Sequence, residues 1–177
     1  MDSNIIEAIQ TNLGYKPLKK VDPNMQEIKE SYKSPVEEKL PQAAIPAVLA
    51  AMIKYSDGTE GINLFADNED WLKTIYGDKE EEAVKKVADY AGVGPDEAKQ
   101  HMGRIAVEAV KIAKESVKPH DAEKLRSFMN SQRHSVLSHL PAAMKIGDVV
   151  NEETFDDRTN KMEGPVSGFL HRIENII

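Results

Sequence analysis

Residues 40–53 read Leu-Pro-Gln-Ala-Ala-Ile-Pro-Ala-Val-Leu-Ala-Ala-Met-Ile, with Gln42 the one polar position. A run that is apolar nearly all round belongs to a helix buried at the centre of a helical protein. It is too short to span a bilayer, and Pro41 and Pro46 interrupt it. Pro46 removes a backbone donor and crowds the preceding turn, so the sequence predicts a kink or a division into two helices there. Ser34-Pro35 opens this helix, with Glu37 at capping-box spacing from Ser34.

Outward from this run, glycine and proline punctuate the chain at helical lengths. Upstream, Ser3 caps a helix carrying Ile5, Ile6, Ile9 and Leu13, and Gly14 stops it. Asp22-Pro23 starts another with Met25, Ile28 and Tyr32. Downstream, residues 57–61 form a loop, and Asn68 caps a short helix through Trp71, Leu72 and Ile75 that ends at Gly77. Asp78 and Glu81 make a second capping box before the stripe Val84, Val87, Ala88 and Ala91, which stops at Gly92. Gly94-Pro95 opens the longest helix, with Ala98, Met102, Ile105, Ala106, Ala109, Ile112 and Ala113 at helical period, and Pro119 closes it. Asp121 starts Leu125-Phe128-Met129, and Ser131 starts Val136-Leu137-Leu140 before Pro141. Residues 148–157 read as an acidic loop with a short helix. Gly164-Pro165 begins a last amphipathic helix through Val166, Phe169, Leu170, Ile173, Ile176 and Ile177.

No stretch alternates with period two, so a sheet is not expected. The fold expected is all-α, an orthogonal array or bundle of about seven to nine helices. Residues 1–147 would form the core, and residues 148–177 an acidic loop and terminal helix packed on it. Residues 45–54 (Ile-Pro-Ala-Val-Leu-Ala-Ala-Met-Ile-Lys) align with residues 105–114 (Ile-Ala-Val-Glu-Ala-Val-Lys-Ile-Ala-Lys), an offset of 60 residues. That raises a duplication of halves 1–62 and 63–147, against the alternative that two Ala-rich core helices simply look alike.

Residues 39–61, KLPQAAIPAVLAAMIKYSDGTEG, and 87–115, VADYAGVGPDEAKQHMGRIAVEAVKIAKE, carry a resemblance. Both are similar to the uncharacterised YidB-like family of bacterial all-helical proteins, in which a short helix, a Gly-Val-x-Pro-like turn and an Ala/Leu-rich helix recur. The resemblance implies a helical array in a bacterial protein and carries no enzymatic activity to transfer. The family is richer in Leu and Gly, and the segment from Pro141 to Ile177 has no counterpart in it.

A length of 177 residues suits one domain. The chain has no cysteine, which excludes disulfides, thiolate metal sites and cysteine nucleophiles and fits a reducing compartment. Its net charge of −7 argues against nonspecific attraction to nucleic acid or anionic membranes. The start, Met1-Asp2-Ser3-Asn4, lacks the basic region of a signal peptide, so a cytoplasmic location is expected and no membrane association.

The sharpest local pattern is Ala88-x-x-Ala91-Gly92-Val93-x-Pro95-x-x-Ala98, which resembles a helix-turn-helix over residues 87–104. Its DNA-facing residues would be Lys99, Gln100 and Arg104, beside Asp96 and Glu97. Residues 95–104 carry two acids and two bases and sum to zero, which lacks the basic footprint of a DNA reader. The plainer reading is a helical hairpin whose turn needs Gly92 and whose second helix favours acids at its start.

The histidines His101, His120, His134, His139 and His171 show no His-Glu-x-x-His or Glu-x-x-His spacing, and Glu97 with His101 only shares a helix face. Gly-x-Ser-x-Gly, Walker and Gly-x-Gly-x-x-Gly motifs are missing, and Ser135, Ser138 and His139 are merely close in sequence. No catalytic residue, metal ligand or cofactor is therefore assigned. Asp156, Asp157, Arg158 and Asn160 form a candidate recognition surface, or else cap neighbouring helices. The leading functional expectation is a noncatalytic helical interaction or scaffold module, with a protein partner or with itself. The alternatives are the helix-turn-helix regulator and a small-molecule or lipid pocket between the Ala-rich helices.

Overall fold

The computed structural model describes residues 4–21, 34–152 and 155. Among them every regular element is a helix and there is no strand. The α-helices are α1 (Ile5–Leu13), α2 (Val36–Asp57), α3 (Trp71–Tyr76), α4 (Glu80–Ala91), α5 (Pro95–Ser116), α6 (Ala122–Ser131), α7 (Arg133–His139) and α8 (Ile146–Val150). Short 3-10 turns fill Thr59–Phe65, Gly77–Lys79 and Ala142–Met144. No helix among the described residues is long and apolar enough to cross a membrane. The helix expected after Asp22-Pro23 and the one after Gly164-Pro165 lie outside the described residues.

The centre is α2, which packs against each of the other α-helices. Between Leu40 and Ile53 every residue except Gln42 is buried. Of the two outcomes expected at Pro46, a division into two helices does not occur: one helix of 22 residues runs through both prolines. The prolines are themselves buried among the surrounding helices, so packing on every side offsets the missing backbone bonds. Gln42 is polar because it is a clamp. Its Oε1 accepts from the Lys19 N–H (2.8 Å), and its Nε2 donates to the carbonyls of Lys19 (3.1 Å) and His139 (2.7 Å). It thereby fixes the segment after α1 and the end of α7 to the central helix.

Termini of the helices depart from the expected caps. Asn4 caps α1, accepting from the Ile6 N–H at 3.1 Å, and Gly14 ends it with φ 73°. Neither predicted capping box forms. Pro35 precedes α2 without a side-chain cap, and α4 starts after a 3-10 turn with Lys79 in the cap position. Glu38, one residue past the predicted box, is drawn to Lys16 (3.3 Å) and Lys19 (3.9 Å). Asp70 rather than Asn68 caps α3, while the side-chain Oδ1 of Asn68 accepts from the Asp70 N–H at 3.0 Å. The expected loop at 57–61 tightens into the 3-10 turn, where Gly61 lies against the backbone of Ser56. Gln132 precedes α7 and has a longer-range use, since its Oε1 accepts from the Ile5 N–H at 3.1 Å.

The root of the acidic tail is core. Helix α8 runs across residues 147 and 148 and buries Ile146, Val149 and Val150. Phe155 is 0% exposed, with the Arg133 guanidinium 5.0 Å from its ring centre. Arg133 also pairs with Asp57 (3.6 Å) and Glu152 (3.5 Å), and Lys54 reaches Glu152 at 3.6 Å.

Candidate functional site

The apolar stripe of α5 buries Ala98, Met102, Ile105, Ala106, Ala109, Ile112 and Ala113 as its spacing predicts, with Val110 added. Its opposite face is flanked by α1 and α3, both of which pack on α5. Between them lies an open groove of about 500 Å³. Gly103 and Val107 come from α5, Leu13 from the end of α1, and Trp71 and Leu72 from the start of α3. The polar lining is Glu69, Asp70, Lys99, Gln100, Arg104 and Glu108.

Two features make this groove unusual on an otherwise polar helix face. Val107 is 52% exposed, the most exposed large apolar side chain described. A Cβ placed on Gly103 would meet nothing within 4 Å, so the helix backbone is open from above.

Most charges around the groove already have partners. Lys99 Nζ lies 2.6 Å from Oε1 of Glu80, which is 6% exposed, and this bond raises the pKa of the lysine. Glu108 accepts from Asn12 Nδ2 at 2.7 Å and faces Lys111 at 3.7 Å. Asp70 accepts from the Lys73 N–H at 3.1 Å. Arg104 has no hydrogen bond or ion pair among the described residues. It acts at longer range on Tyr15, whose pKa burial raises and the guanidinium partly lowers. Tyr15 in turn is hydrogen-bonded to His101 Nδ1 at 2.9 Å.

Thus Lys99, Gln100 and Arg104 share one surface, the helix-turn-helix residues read from sequence, but Lys99 is held by α4. The turn between α4 and α5 forms as expected, with Gly92 at φ 72°. Asp96 and Glu97 are exposed at the start of α5. Asp156, Asp157, Arg158 and Asn160 lie outside the described residues. The alanines of α2 and α5 pack the core and do not line the groove.

The other sequence-predicted polar side chains make local contacts. His139 Nδ1 faces the Ser135 carbonyl at 2.7 Å, Ser138 Oγ donates to the His134 carbonyl at 2.8 Å, and the His120 ring lies tilted against Phe65. Among the described residues no group of three or more His, Asp or Glu is placed to hold a metal ion.

Leu13, Trp71, Gly103 and Val107 went unread as site residues because they are far apart in sequence. One signal was available. Val107 is an apolar residue off the buried stripe of α5, where a solvated helix face calls for a polar one. No family model matches the chain, and no curated protein or solved structure is similar to it.

Proposed function

We propose that this chain is a noncatalytic helical interaction module that engages a protein partner through the groove between α1, α3 and α5. The observation that carries the reading is the conjunction, in one concavity, of exposed Val107, open Gly103 and Arg104, a guanidinium with no hydrogen bond or ion pair among the described residues. An arginine beside apolar side chains is the composition of a protein-binding patch, where arginine and aromatic residues such as the Trp71 of this groove are enriched. The YidB-like resemblance and the absence of cysteine support a bacterial, reducing setting for this module.

DNA reading through α5 has less support. The helix is flanked by α1 and α3 instead of projecting, and phosphates approaching it would meet Glu69, Asp70, Asp96 and Glu97. Site-specific photo-crosslinking tests the proposal. With p-benzoylphenylalanine in place of Val107, a discrete heavier adduct is expected in the source cell. It should be absent with the probe at Lys85 on exposed α4 surface, and lost when Gly103→Trp fills the groove. Equal labelling at positions 107 and 85 would refute the groove as the binding face.

A further inference from the structure

We draw no further inference here: the strongest candidate, the groove between α1, α3 and α5, belongs to the site already described, and nothing in the structure shows what covers it, since its charged lining is on balance acidic and Arg104 and Glu69 alike have no hydrogen bond or ion pair among the described residues.

Discussion

Truncating Phe155 to alanine tests whether the root of the acidic tail is core. The side chain is fully buried and heads the large side chains that are. Removing it takes away its apolar transfer energy and leaves a cavity, a cost of about 3–5 kcal/mol for a buried phenylalanine. The cation–π contact with Arg133 lies within that figure at about 0.5–1 kcal/mol, since Arg133 keeps Asp57 and Glu152 as partners. Against a total stability of about 5–15 kcal/mol, the loss is a large share. At roughly 2–4 °C per kcal/mol for a domain of this size, Tm should fall by roughly 6–20 °C. Urea unfolding followed by far-UV circular dichroism measures it, and the slope with denaturant should be unchanged. Phe155→Leu, which keeps most of the volume, should cost less than about 1.5 kcal/mol. A loss below about 1 kcal/mol for Phe155→Ala would refute the burial and with it the fastening of the tail root.

Tyr76 donates to the Ala47 carbonyl at 2.7 Å, so Tyr76→Phe should cost about 0.5–1.5 kcal/mol near neutral pH. Burial raises the native phenol's pKa above 10.0, so the unfolded chain ionises first. The hydroxyl's contribution is therefore complete below about pH 10 and lost above it at about 1.4 kcal/mol per pH unit, until the native phenol ionises. In urea titrations the Tyr76→Phe and native stabilities should meet within about one pH unit above that point and then cross, leaving the native chain the less stable, and parallel decline would count against the reasoning. Gly61→Ala would place a Cβ 2.8 Å from the Ser56 carbonyl oxygen, backbone that cannot swing aside, at a cost of about 1–3 kcal/mol by chemical denaturation. Gly58→Ala meets its nearest atom at 3.4 Å and should be much milder. The Lys99–Glu80 and Lys85–Asp89 pairs are both 2.6 Å long, but only Glu80 is buried. Lys99→Ala should lower Tm measurably while Lys85→Ala leaves it unchanged, because only the first strands a buried carboxylate.

The long helices were legible because their signals are local. The stripe of α5 and the stops at Gly14, Gly77 and Gly92 rest on period and on the left-handed tolerance of glycine. The division expected as one outcome at Pro46 does not occur because the penalty of proline is local and its compensation is not: the helices around α2 cannot be seen from residue 46. The two capping boxes failed for the same kind of reason. The Ser34 hydroxyl accepts from Lys19 Nζ, fifteen positions upstream, and the chain before α4 is already committed to a 3-10 turn. At the groove, Lys99, Gln100 and Arg104 were legible as one surface from helical spacing. What that surface faces was not, because Leu13 and Trp71 are brought to it by tertiary packing.

The long-range bonds of α1 and α2 give the molecule a mechanical property. Ile5 is tied to Gln132, Val21 donates to the Ser138 carbonyl at 2.7 Å, and Gln42 holds His139, so the first third of the chain is threaded through the last. Residues 66–70 form an exposed joint between these interlocked parts. Cut there, one piece carries the spindle and the other carries the wrapping, and each alone presents a raw apolar surface. Each piece alone is therefore expected to self-associate through that surface, and the two to reassemble when tethered side by side.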